Sequence, residues 1–274
     1  GGNYNAFFGE DAGTTNTTGD SNVAVGYSAL GANNTATGAV AVGANALDAN
    51  TSGARNTAVG QDSLGTNTEG NDNVAIGNSA LEANLTGSDN VAIGRVALNA
   101  NTASNNIGIG KDALAANTIG NTNVAIGTDA MTTNVAADRN VAVGEQALQN
   151  MTAASTADTY NTAVGYNAGL AVNSGVQNTL IGGKAGDGMT SGGNNTAVGF
   201  ESLSAVCVGS YNTAVGRIAM RDMTSGTENT GLGNAALLVN TDGNYNTSVG
   251  SDSLKANVSG HNNTAVGFEA LQAN

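Results

Sequence analysis

Five residues, Asn-Thr/Val-Ala-Val/Ile-Gly, recur from one end of this 274-residue chain to the other, and their closing glycines are spaced 17 residues apart at thirteen of fifteen steps. The glycines run from Gly9, Gly26 and Gly43 to Gly250 and Gly267, with one 16-residue step into Gly110 and one 21-residue step from Gly144 to Gly165. Sixteen copies at one short period restrict the chain to repeat architectures, in which each copy packs on its neighbours and none buries a core alone. Composition narrows the choice further. With 40 Gly, 41 Asn, no Pro and 4% aromatic residues, there is little bulk for a globular core, and collagen is excluded. Hydrophobic residues make up 40% of the chain and are set on the period, unlike the apolar-poor signature of disorder. No stretch approaches 18 consecutive apolar residues and no basic-then-apolar leader opens the chain, so neither membrane insertion nor an export signal of its own is expected.

Counting the pentad's Asn as position 0, +1 is nearly always Thr or Val, +3 is Val or Ile with few departures, and +2 between them is small. That alternation is a strand, with +1 and +3 on one face and +2 on the other. Position +7 is Ala or Ser in every copy and +8 is Leu or Met in thirteen, whereas +5 and +6 vary freely and are expected to face solvent. The β-branched pair is expected to point inward and +2 outward. Ala24, Ala58, Ala75, Ala92, Ala125, Ala142, Ala197, Ala214 and Ala265 then form a candidate self-association stripe, since an open surface would tolerate long polar residues there. The competing explanation is a cramped coil interior in a monomeric chain.

Position +11 is Asn in eleven copies, among them Asn33, Asn50, Asn67, Asn84, Asn101, Asn117, Asn134, Asn240 and Asn257. An unbroken block of five copies replaces it with Met151, Val172, Met189, Val206 and Met223. A column that exchanges Asn for apolar residues as a block points inward, where stacked amides satisfy one another and avoid the roughly 1–3 kcal/mol cost of an unpaired buried amide. The expected fold is an all-β parallel β-solenoid of about sixteen coils, each with two short strands and glycine corners at +4 and about +14. It forms one repeat domain over residues 1–274, with an insertion within 145–164, and assembles side by side as a homotrimer. A helix over the Ala-Leu segment is ruled out, because no persistent helix fits between glycines ten residues apart.

Asn-Val-Ala-Ile-Gly at 73–77 and 123–127 and Asp-Asn-Val-Ala-Ile-Gly at 89–94 resemble the head repeats of trimeric autotransporter adhesins, which are left-handed parallel β-rolls assembled as trimers on a shorter repeat. Asn-Thr-Ala-Val-Gly-Tyr-Asn-Ala at 161–168 is similar to repeats of long phage tail fibres and related bacterial surface fibres. The resemblance spans essentially the whole chain. It implies an extracellular, cell-surface or virion-borne trimeric fibre that holds an adhesive tip away from its carrier.

Residues suited to chemistry are sparse. His261 is the only histidine and sits at a variable corner, and with one Cys and one His no His/Cys metal cluster forms. Asp62, Asp112, Asp129 and Asp252 at +6 lack the spacing of calcium-binding β-rolls, and the glycines of Gly108-Ile109-Gly110 repeat as corners and not as a phosphate cradle. Cys207 is expected to be a buried small hydrophobe. No catalytic residue, cofactor or metal is assigned. A net charge of −13 repels phosphate backbones, so nucleic acid is not an expected partner.

The expected function is a non-enzymatic shaft, a rigid spacer in adhesion or host recognition. Its partner is itself, and a surface glycan or receptor is met through parts outside this chain. The alternative is an ice-binding solenoid, suggested by partial threonine columns at +1 and at +12 (Thr51, Thr68, Thr102, Thr118, Thr241). Tyr27, Tyr166, Phe200 and Phe268 at +5 are isolated, and the insertion (Thr156, Ala157, Asp158, Thr159) reads as a tolerated bulge. Because the chain begins and ends inside the pattern, with Asn274 at +11 and only Phe7-Phe8 resembling a cap, it is expected to be a section of a longer fibre.

Overall fold

A computed structural model describes residues 2–152 and 158–273, so Thr156, Ala157 and Asn274 lie outside the described residues. Those described fall into two compact units that divide between Asp138 and Arg139. Each unit holds eight coils, and every coil contributes one three-residue strand at +1 to +3. In the first unit the strands run from Ala6–Phe8 to Val124–Ile126, in the second from Val141–Val143 to Thr264–Val266. Within each unit successive strands pair parallel with like positions opposite. Ala41 lies between Ala24 and Ala58, and Thr196 between Thr179 and Thr213. No helix occurs among the described residues, and the fold is an all-β parallel β-solenoid.

One strand per coil is found where two were expected. Positions +6, +8 and +16 take left-handed backbone in coil after coil, as at Asp62 (φ 58°), Leu64 (φ 49°) and Asp72 (φ 57°). A strand cannot pass through that conformation, which costs an ordinary residue about 1–2 kcal/mol. Hydrogen bonding between coils nevertheless continues through the turns. The Leu64 N–H donates to the Ala80 carbonyl at 3.0 Å and the Asp62 N–H to the Ala44 carbonyl at 3.0 Å. Full burial of the Leu64 side chain, worth about 1.5–3 kcal/mol, offsets the backbone cost.

Two glycine positions close the coil. At +4, φ lies between 127° and 139°, and a Cβ on Gly60 would stand 2.6 Å from the Gly77 carbonyl. At +14, a Cβ on Gly53 would stand 2.3 Å from the Gly70 carbonyl and 2.6 Å from Asn50 Oδ1. The corner and the amide column therefore share one space.

The alanines at +2 line the interior, which corrects their assignment to an outward stripe. Ala24, Ala58, Ala75, Ala92, Ala125, Ala142, Ala197 and Ala214 are 0% exposed, and Ala265 in the last coil is 4% exposed. The restriction to small residues comes from the coil itself. At Gly108, which replaces Ala at +2, an added Cβ would already lie 3.0 Å from Leu98 Cγ and 3.1 Å from the Ala113 carbonyl. Where +8 loses its leucine, +2 enlarges in the coils of Gly13 and Gly186, and Gly169 is met by Leu180 of the next coil. A Cβ on Gly169 or Gly186 would come 2.8 Å from the two Leu180 methyl carbons, and one on Gly13 would come 2.5 Å from the Phe7 ring. Leu180 and Phe7 thus reach across from the strand to occupy the volume a +8 leucine fills elsewhere.

Candidate functional site

Amide columns hold each unit together from inside, two in the first unit and chiefly one in the second. In the first unit Asn33, Asn50, Asn67, Asn84, Asn101, Asn117 and Asn134 at +11 are fully buried. Asn67 Nδ2 donates to Asn50 Oδ1 at 2.8 Å and to the Gly70 carbonyl at 3.1 Å, and Asn84 repeats this on Asn67 and Gly87. Asn134 donates to Asn117, and Asn117 to Asn101. The 16-residue step interrupts the column. Asn84 Oδ1 is buried without a hydrogen-bond partner, while Asn101 donates to the Ala103 carbonyl in its own coil. The missing residue falls in the corner that follows Asn101, before Asn106.

Sequence reasoning did not assign a second column, although Asn at position 0 in fifteen copies was its signal. In most coils the side chain of this Asn spans the coil. Asn56 Nδ2 donates to the Gly70 carbonyl at 2.6 Å, and Asn56 Oδ1 accepts the Asn73 backbone N–H at 2.9 Å. The pattern recurs at Asn178, Asn195, Asn212 and Asn229 in the second unit. There +11 is apolar. Met151, Val172, Met189 and Met223 are fully buried, before Asn240 and Asn257 restore an amide pair at 3.3 Å. The assignment of Val206 to that inward column is corrected, because Val206 is 66% exposed and Cys207 takes the buried place. Burial pushes the Cys207 thiol up to about 11, leaving it a poor nucleophile.

With +2 inside, +1 and +3 form the outer face of each sheet. In the first unit that face is almost wholly apolar. Val23, Val40, Val74, Val91, Ile107 and Val124 stand beside Val25, Val42, Ile76, Ile93, Ile109 and Ile126, and Thr57 is the only hydroxyl. In the second unit +1 becomes threonine in seven successive coils, Thr162, Thr179, Thr196, Thr213, Thr230, Thr247 and Thr264, beside Val, Ile or Leu at +3. The inward assignment of this column is corrected as well, since these threonines are half-buried, Thr264 exposed. None of the seven hydroxyls has a hydrogen-bond partner among the described residues. Most +12 threonines differ, because their hydroxyls donate to carbonyls of the next coil, as from Thr51 to Thr68 at 3.0 Å and from Thr241 to Val258 at 3.1 Å.

The remaining sequence candidates are dispersed. His261 is exposed and its Nδ1 accepts the Asn244 backbone N–H at 3.0 Å. Asp62 accepts from Asn45 Nδ2 at 2.9 Å, and Asp112 pairs with Lys111 at 2.7 Å. The hydrogen bonds from Lys255 and Ser251 hold the Asp252 carboxyl below its ordinary value. Burial raises Asp48 and Asp187 instead. Within the insertion, Asp158 pairs with Arg139 and accepts from Tyr160 Oη at 2.9 Å, while the Arg139 guanidinium lies over the Tyr160 ring at 5.8 Å. Among the described residues no three His, Cys, Asp or Glu side chains gather as metal ligands, and no helix is long and apolar enough to cross a membrane. No family model matches the chain, and no curated protein does.

Proposed function

We propose that this protein is a non-enzymatic structural shaft, a rigid spacer in adhesion or host recognition on a cell surface or virion, in keeping with the fibre repeats its pentads resemble. The supporting observation is the density of coil-to-coil bonding within each unit. Backbone bonds link consecutive coils through strand and turns, and the buried position-0 amides bond each coil to the next and across its own width. A load along or across such a stack is shared by many bonds at every rung, and bending one coil away leaves buried amides unpaired. Association as a homotrimer would use the exposed Val and Ile columns of the first unit, since an apolar face broken only by Thr57 favours contact with another surface. A glycan or receptor would be met by parts beyond this chain.

Single-molecule pulling tests the spacer role. High-force, stepwise loss of coils is expected, whereas smooth extension at low force would overturn it. Sedimentation tests the association. A trimer that dissociates to folded single chains on Val59→Lys with Ile76→Lys is expected, and a wild-type protein that is monomeric at high concentration would end the trimer.

A further inference from the structure

We propose that the outward face of the second unit, bearing one threonine per coil from Thr162 to Thr264, binds ice. This goes beyond the shaft reading and does not depend on it. Three features of the face carry the inference. First, like positions pair in register from coil to coil, so the threonine hydroxyls repeat at about the 4.7–4.9 Å strand spacing on a stiff support. β-branched side chains hold few χ1 states, and ordering them on a surface therefore costs little. Second, the hydroxyls have no protein partner among the described residues, although threonines one corner away at +12 are all but consumed by neighbouring carbonyls. Third, no charged residue stands at +1 or +3 in these coils, in a chain of net charge −13.

A hydroxyl column beside a methyl column decides between occupants. A protein surface packed on this face would bury the valines favourably but leave seven hydroxyls to be matched one by one, and each unmatched one would weaken the contact. A crystalline water surface carries hydrogen-bonding groups throughout, and the valine methyls do not compete for them. The first unit, with Thr57 alone in its outer columns, lacks the hydroxyl series and is the internal control.

The experiment is freezing-point hysteresis and partition into a growing ice hemisphere, with the whole chain at micromolar concentration. The expected result is arrested, faceted ice crystals and enrichment in the ice. Thr213→Lys should abolish both while the circular dichroism remains that of the wild type, and Asn78→Lys, on a separate exposed column of the first unit, should leave both unchanged. Thr179→Lys, on another rung, replaces Thr213→Lys if that variant does not fold. A wild-type protein excluded from ice, or full activity in a folded threonine variant, would overturn the proposal. Neither result bears on pulling force or oligomeric state, so the shaft reading stands or falls separately.

Discussion

The two units place polarity in opposite positions. In the first, amides fill the +11 column inside and Val or Ile covers the sheet outside. In the second, Met and Val fill much of that inner column and threonines stand outside. One backbone plan accepts both because the inner space at +11 is set by the coil corner, which suits either a chain of amides that bond to one another or a chain of unbranched and small apolar side chains. A mixed neighbouring pair is accepted where the amide bonds within its own coil, as Asn240, one coil on from Met223, donates to the Gly243 carbonyl at 3.0 Å.

The largest effect should come from charging the amide column. Asn67→Asp turns the donor that reaches Asn50 Oδ1 and the Gly70 carbonyl into a buried acceptor aimed at two acceptors. A loss of several kcal/mol in urea unfolding is expected, against about 0.5 kcal/mol or less for Asn78→Asp on the exposed side of the following coil. Equal losses would show that the amide column of the first unit contributes no more than its surface. Met189→Asn is the mirror experiment in the second unit, with a cost of about 1–3 kcal/mol from an amide among apolar neighbours.

Next in size is the exchange between +2 and +8. Leu180→Ala should cost about 2–5 kcal/mol as a core truncation. Gly186→Leu alone should also destabilise, since its Cβ would meet Leu180 Cδ2 at 2.8 Å. The double variant restores the Ala and Leu pairing seen at Ala75 and Leu81 and should recover part of the loss, so purely additive losses would refute the shared volume.

The smallest effect concerns Cys207, in the apolar column found only in the second unit. With its thiol buried and pushed up to about 11, it should resist iodoacetamide at pH 8 until the chain is unfolded. The sign follows from the raised value: the thiolate is scarce below that pH, and unfolding returns the thiol to its ordinary range. Rapid alkylation of folded protein would mean that the column opens readily there.

Much of the fold was legible in the sequence. The 17-residue period identified a parallel solenoid, the block replacement at +11 identified an inward column, and the invariant small residue at +7 agreed with both. The strand's orientation was not legible, because alternation states that +2 opposes +1 and +3 without saying which side is narrow. The turn at +8 was hidden for a related reason. Leu adopts left-handed backbone reluctantly, so a run of leucines reads as strand until burial of each one is seen to offset the cost.

By itself, then, the sequence determined the repeat, the register of like residues on like, and the positions where side chains must stack. Only the tertiary structure decided which side of the strand faces out, and with it the identity of the exposed face. The physical reason is volume. Leucines at +8 and amides at 0 and +11 arrive from other parts of the coil and leave room at +2 for a methyl group and little more, which turns the bulkier valines and threonines outward.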